Sequence, residues 1–317
     1  PKVVYYGSQF VHKTSNKGDS WQIISPDLTT NDPAKQKSNE SGGITRDVTA
    51  AENHCTILSI APSPVKEGVL WVSTDDGNVQ LTQDGGKTWS RVSASLTDGA
   101  KSRVPAGIWS PHVEASKHDA ATAFVVFDDH RRSNWETYVF VTRDFGKTWQ
   151  SLATPEIDGF CHVIRQDIVE PNLLFVGTEF GLYVSLNAGK NWQKWTSGFP
   201  TVPVTDMVVH PRDHDLVIAT HGRGIYILDD IRPLRELAKK GAQTLAAKPL
   251  HLFDISRAVA SNYEFWAGSY IGTGHAMFKG EQRQYGALIS YVVNPPDSVL
   301  AKNETPKAQK ISIEILN

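Results

Sequence analysis

The octad T-x-D-x-G-K-T-W occurs twice in this chain, as Thr82–Trp89 (TQDGGKTW) and Thr142–Trp149 (TRDFGKTW). Looser copies stand at Thr14–Trp21 (TSNKGDSW) and Ser185–Trp192 (SLNAGKNW). A recurring short unit restricts the chain to folds that use one supersecondary element several times. The octad has the chemistry of a hairpin clamp. A hydroxyl residue ends one strand, and the Asp or Asn two positions on (Asn16, Asp84, Asp144, Asn187) folds back onto turn N–H groups. Glycine supplies a positive φ, and the closing Trp (Trp21, Trp89, Trp149, Trp192) opens the next strand with a ring able to fill the wedge between sheets. Asp84 and Asp144 therefore read as clamps rather than catalysts.

Around each octad the same order of elements recurs: an inner apolar strand, a second strand, the octad strand and the Trp strand. One copy runs Thr56–Ile60, Leu70–Thr74, Asn78–Thr82 and Thr88–Val92; the next runs His112–Ala115, Ala123–Phe127, Tyr138–Thr142 and Thr148–Leu152. A third runs Cys161–Arg165, Leu173–Thr178, Leu182–Ser185 and Asn191–Trp195. Short apolar or alternating runs separated by Gly, Pro, Asn and Asp are the pattern of β-strands. A fourth unit, Val204–His210, Leu216–Thr220 and Ile225–Leu228, ends in an eroded octad, and Leu228 follows Ser185 at the interval at which Ser185 follows Thr142. Its fourth strand is expected at Leu250–Phe253, after a helical excursion near Pro233–Lys240. The opening segment, Lys2–Ser8, Val11–Thr14 and Trp21–Ile24, reads as a unit without its inner strand.

Four-stranded units repeated in this way predict an all-β chain, a β-propeller with about five blades visible. The incomplete first blade implies either more blades upstream of Pro1, the preferred reading, or closure by a later strand such as Ala287–Val293. The expected organisation is propeller over 1–254, a connector over 255–285, and the first strands of a truncated β-sandwich over 286–317.

Lys+Arg 32 against Asp+Glu 34 is near balance, which argues against a nucleic-acid or anionic-membrane surface. No apolar run reaches the length of a membrane helix. Cys55 and Cys161 are too few for a disulfide scaffold. The sequence opens at Pro1 without the pattern of a signal peptide, so none is expected within it.

The span from Tyr5 to Leu234 resembles the large bacterial sortilin-like proteins built from BNR, or Asp-box, repeats, a group often labelled glycosyl hydrolases by fold alone. The matching segments are YYGSQFVHKTSNKGDSW, ISPDLTTND, VSTDDGNVQLTQDGGKTW, VGTEFGLYVSLNAG, HPRDHDLVIATHGRGIYILDDI and YGALISY. The resemblance implies a multi-bladed propeller of an exported protein, extracellular or periplasmic, followed by an immunoglobulin-like sandwich. It implies no particular reaction, because propellers host many unrelated functions.

Propeller geometry places the octad turns on one face and the loops joining strands two to three, and four to one, on the other. That loop face collects Phe10, Arg46, Trp109, His130, Arg131, Phe180, His221 and Arg223 as candidate ligand-binding residues, with Trp135, Asp158, Cys161 and His162 nearby. A glycoside hydrolase needs two carboxyls flanking the scissile bond, and Asp75, Asp76, Asp128 and Glu179 are the weak candidates for such a pair. The arginine cluster and Tyr–Glu pair of a sialidase cannot be assembled. His54-Cys55 and Cys161-His162 carry metal-ligating types, but no close Cys-x-x-Cys or His-x-x-x-His pair, so neither metal nor cofactor is expected. The leading expectation is a non-catalytic, exported propeller that binds a protein, peptide or glycan ligand through its loop face or docks in a larger assembly. The alternative is a glycoside hydrolase using paired loop-face carboxylates. Further blades of the same parent chain are the other expected partners; nucleic acid and membrane insertion are not.

Overall fold

The computed structural model describes residues 2–37, 54–98, 102–255, 257–258 and 286–294. Its contacts divide the chain into two compact units, Pro1–Lys239 and Lys240–Asn317.

In the first unit, antiparallel strands follow one another in chain order within separate small sheets. Blade I holds β1 (Val4–Gly7), β2 (Val11–Thr14) and β3 (Gln22–Ile23). Blade II holds β4 (Ile57–Pro62), β5 (Leu70–Thr74), β6 (Val79–Thr82) and β7 (Ser90–Arg91), followed by the short helix α1 (Ala94–Thr97). Blade III comprises β8 (Trp109–Ala115), β9 (Ala123–Asp129), β10 (Asn134–Thr142) and β11 (Gln150–Ser151). Blade IV comprises β12 (Cys161–Gln166), β13 (Leu174–Thr178), β14 (Gly181–Ser185) and β15 (Gln193–Lys194). In blade V, β16 (Val204–Val209), β17 (Leu216–Thr220) and β18 (Ile225–Leu228) form a three-stranded sheet. The first strands β4, β8, β12 and β16 touch in succession and form the inner layer. Blade I has no strand of that layer among the described residues, as its sequence predicts.

The octads form the same turn four times. In blade II, Thr82 Oγ1 donates to Asp84 Oδ1 at 2.8 Å and accepts from Gly86 N at 2.9 Å, while Asp84 Oδ1 accepts from Thr88 N at 2.9 Å. Blade III repeats these bonds through Thr142, Asp144, Gly146 and Thr148. Asn16 and Asn187 make the corresponding bonds with their amide oxygens. The Thr88 side chain and N–H, then the Thr82 hydroxyl, hold Asp84 down to about 2; the Thr148 side chain and N–H do the same for Asp144.

The closing Trp then ties each blade to the one before it. Trp89, Trp149 and Trp192 each donate the indole N–H, at 2.9 Å, to the carbonyls of Ile24, Val92 and Leu152 respectively. Apolar cores fill the wedges. Trp71 meets Trp149 edge-on at 6.4 Å between blades II and III, and Trp192 joins Val126, Ile164 and Val176 between blades III and IV. Burying aliphatic side chains of this kind contributes about 1.5–3 kcal/mol each.

The eroded unit keeps the blade plan. Ile231 N bonds His214 O at 2.8 Å, as Phe145 N bonds Ala121 O at 2.9 Å beside an intact octad. The expectation that Leu250–Phe253 supplies its fourth strand is corrected. After β18 the chain enters α2 (Arg232–Lys240), where Arg235 forms a bidentate pair with buried Asp167 at 2.8 Å to each oxygen. That pair anchors the chain against blade IV at the octad end, so it does not turn back along β18. In the second unit, α3 (Ala242–Ala246) precedes β19 (Leu250–Leu252), which pairs with β20 (Tyr291–Val293). The strand considered for ring closure is therefore β19's partner. Most of the expected connector and sandwich segments lie outside the described residues.

Candidate functional site

The loop face is built on a recurring backbone device. Each inner strand shifts register near its start, at Ile57/Ser59, Trp109/His112, Cys161/Val163 and Val204/Asp206. A bulge leaves a residue unpaired and re-aims its side chain. In blade IV that residue is His162, whose Nε2 reaches Glu179 Oε2 at 3.2 Å.

Between blades III and IV these loops bring aromatic rings and cations together. The Asp128 carboxylate holds His130 by its backbone N–H at 2.9 Å and by Nδ1 at 2.7 and 2.8 Å. So held, the imidazole stacks on Phe160 with centroids 4.5 Å apart and an interplanar angle of 16°. Trp135 lies 5.7 Å from Phe160 and 6.2 Å from His130, and His162 meets Phe160 edge-on at 4.9 Å. Beside this group the Arg131 guanidinium sits 3.5 Å from the Trp109 ring centre. Burial lowers the Arg131 pKa against the opposing influence of Asp128, but an arginine so placed stays charged.

Phe180 completes the patch. A Cβ on Gly159, at φ +82°, would meet the Phe180 ring at 2.8 Å, so glycine is what lets the two loops approach. Thr137 Oγ1 donates to Gly159 O at 2.7 Å and fixes that loop to blade III. Trp135 is 57% exposed and Phe180 38%, against 3% for Phe160 beneath them. A shallow cavity of about 560 Å³ opens beside Trp135, bounded by Ser133, Glu136, Thr137, Ile157 and Asp158.

Of the residues named from sequence, Trp109, His130, Arg131, Phe180, Trp135, His162 and Glu179 fall on this one surface between blades III and IV. Phe10 is half-buried on the β1–β2 loop of blade I, and His221 and Arg223 are exposed on the β17–β18 loop of blade V. Arg46 lies outside the described residues. The one sequence signal at Phe160 is its place directly before Cys161-His162 in the loop entering an inner strand.

Of the four acids named as weak candidates for a carboxyl pair, three are buried. Asp75 is 1% exposed and bonds Thr56 N at 2.9 Å, while Asp76 is 3% exposed and accepts from Thr30 Oγ1 at 2.7 Å. Burial raises the Asp75 carboxyl above its usual range, only partly offset by the Thr56 bonds and His54. Together they pin the long loop after blade I onto blade II. Asp128 is 6% exposed and spent on His130. Only Glu179, with its side chain 33% exposed, reaches solvent, and it faces His162. Of the weak candidates for a catalytic pair, Asp75, Asp76 and Asp128 are each consumed in holding a loop.

Metal-ligating residue types are dispersed in the same way. Cys55 and Cys161 are free and buried, and burial pushes both thiols up. No group of three or more such residues among the described ones could hold a metal ion. Near the inner strands a second cavity of about 550 Å³ is lined by His112, Glu114, Lys117, Arg165 and Asp206. Arg165 bonds buried Glu114 on one side and Asp206 at 2.8 Å on the other, bridging blades III, IV and V. Burial pushes Glu114 upward, but His112 at 3.7 Å, Arg165 and Lys117 outweigh it and hold the carboxyl below its usual range. These charges neutralise one another and make a strut.

Residues 80–91 match the model of the BNR/Asp-box repeat. Among solved structures, the chain is similar to the GH74 xyloglucanase from Xanthomonas campestris at 15% identity and a TM-score of 0.50, covering 73% of this chain and 35% of that one. It is also similar to the extracellular domain of a putative hybrid two-component system from B. thetaiotaomicron (16% identity, TM-score 0.45, 72% of this chain and 26% of that one). A third likeness is to YCF48 bound to D1 peptide (16%, TM-score 0.40, 55% and 50%). The chain thus spans between a quarter and a half of these structures. No curated protein matches the sequence. The repeated octad turns and the succession of blades make this chain a BNR/Asp-box repeat β-propeller.

Proposed function

We propose that this propeller is an exported binding module that holds a protein, peptide or glycan ligand on the loop face of blades III and IV, without chemistry of its own. One observation carries the reading. A contiguous surface of Trp135, Phe180, His130 and Arg131 is rigidly supported, while the acids beside it are bound up in positioning it. Aromatic and arginine side chains on a fixed support are the residues that dominate binding interfaces, and this mixture favours a polypeptide ligand. A glycosidase needs two carboxyls that both reach the sugar. Of Asp75, Asp76, Asp128 and Glu179, three are buried, so the hydrolase reading ranks behind binding. No helix among the described residues is long and apolar enough to cross a membrane.

The test is to probe peptide and glycan arrays with the protein and with its Trp135→Ala/Arg131→Ala variant. Loss of two anchors at about 2 kcal/mol each, about 4 kcal/mol together, should weaken a bound feature by about a thousandfold, with thermal unfolding unchanged. Features bound equally by both proteins would put the binding surface elsewhere and end the proposal.

A further inference from the structure

The acids around the loop-face patch divide by whether they have a partner. Asp128 is held by His130, Asp129 takes Arg132 and Asn134, and Glu179 faces His162. Glu136 and Asp158 differ. Both are exposed, and neither carboxylate has a hydrogen bond or ion pair among the described residues. Lys194 lies over the Tyr183 ring, 5.9 Å from its centre, and makes no ion pair with Asp158. Arg131 is engaged with Trp109.

These two carboxylates stand on fixed backbone. Asn134 Oδ1 accepts the Glu136 N–H at 3.2 Å, and the Tyr183 hydroxyl accepts the Asp158 N–H at 3.1 Å. Thr137 Oγ1, through its bond to Gly159 O at 2.7 Å, ties the two segments together. Both acids line the cavity of about 560 Å³ beside Trp135, with Ile157 as its buried apolar wall. No lysine, arginine or histidine lines that cavity. An indole face attracts a cation through its quadrupole, and carboxylates add charge-assisted hydrogen bonds. The cavity is therefore complementary to a positive charge that the surrounding loops do not supply.

We propose, resting on the binding role assigned to this loop face, that its polypeptide ligand inserts an arginine or lysine side chain into the cavity beside Trp135. The cationic head lies on the indole between Glu136 and Asp158, and the aliphatic stem packs along Ile157. Arginine fits better than lysine, because a planar guanidinium stacks on an aromatic face and offers donors to two carboxylates at once. A metal ion is a poorer occupant. Two carboxylates supply few of the oxygens a calcium ion takes, and no group of three or more metal-ligating residues occurs among the described ones. A neutral sugar could stack on Trp135 but would leave both negative charges unmatched.

Selection of a random heptapeptide phage library in parallel on the parent protein, on Glu136→Gln/Asp158→Asn and on Trp135→Ala tests this. Both acids are exposed and their amides are isosteric, so thermal unfolding of the double variant should match the parent. Peptides that need Trp135 are expected to carry an arginine or lysine, and to bind the double variant at least about tenfold more weakly. Glutamine in place of that basic residue should cause the same loss on the parent and little further loss on the double variant. Trp135-dependent peptides that lack a basic residue, or that bind parent and double variant equally, would overturn the inference and leave the binding surface standing. Binding abolished by EDTA would overturn it as well, assigning the two carboxylates to a metal ion. Should no selected peptide need Trp135, the binding role of the surface falls, and this inference with it.

Discussion

Of the three tryptophans of blade III, Trp149 and Trp135 stand at opposite ends of one sheet and serve opposite purposes. Trp149, at the octad end, is 6% exposed and bonded to blade II, whereas Trp135, at the loop end, is 57% exposed over a stacked His130–Phe160 pair. The acids divide in the same way. Asp144 is locked into a turn that recurs in every octad, and Asp128 positions the imidazole that stacks on Phe160. The octad end repeats because every junction must solve the same packing problem. The loop end is free to differ, and the differences concentrate in blades III and IV. The place where the repeat stops being a repeat is where binding is expected.

The sharpest way to break this comparison is to remove both indoles. Trp149→Ala should cost about 3–5 kcal/mol, because it opens a cavity against Trp71 and orphans the Val92 carbonyl. Trp135→Ala should leave stability within about 0.5 kcal/mol. Trp89 is only half-buried, so Trp89→Ala should fall between them. Denaturant unfolding of the three variants decides the matter. Equal losses at Trp149 and Trp135 would mean that the loop-face ring is core and the proposed surface is not a surface.

A smaller effect separates support from contact within the site. Phe160 is buried under the patch, so Phe160→Leu keeps most of the volume but loses stacking on His130. Aromatic pairs contribute about 0.5–1.5 kcal/mol beyond burial, so stability should fall by that order. Ligand affinity should fall as well, because His130 loses the plane that fixes it. Unchanged affinity in this variant would show that His130 is held by Asp128 alone.

How much of this is legible in the sequence follows from the same division. Thr82, Asp84, Gly86 and Trp89 carry their structure in their spacing, because the turn is local and each residue type has one job. Nothing local distinguishes a blade's outer strand from any short apolar run, and β19's pairing depends on Tyr291–Val293, far along the chain. Asp75 and Asp76 read from sequence only as loop acids, and nothing local says that they are buried. What buries them is the long segment after blade I, whose Thr30 bonds Asp76 across many residues of sequence. Phe160 carries no local signal because its role exists only once His130 is held over it from the neighbouring blade. Short-range geometry was readable, and contacts made between blades were not.

The smallest expected effect concerns pH and tests whether the octad acids are clamps. Asp84 and Asp144 sit at about 2 in the folded chain, below the ordinary 3.8, because Thr88 and Thr148 donate to the charged form. A depressed folded pKa contributes stability that is fully present above the unfolded value and is lost as pH falls toward the folded one. Their contribution should therefore fade between about pH 4 and pH 2. Asn16 and Asn187 hold the same turn with a neutral amide oxygen, accepting from Ser20 N at 3.1 Å and Asn191 N at 3.0 Å. Asp84→Asn/Asp144→Asn should accordingly fold at neutral pH and show a shallower decline in melting temperature between pH 4 and pH 2. An acid slope equal to that of the parent would mean that the titration governing acid unfolding belongs to other carboxyls. Loss of folding at pH 7 would mean that the charge itself, rather than the acceptor geometry shared with Asn16 and Asn187, holds the turn.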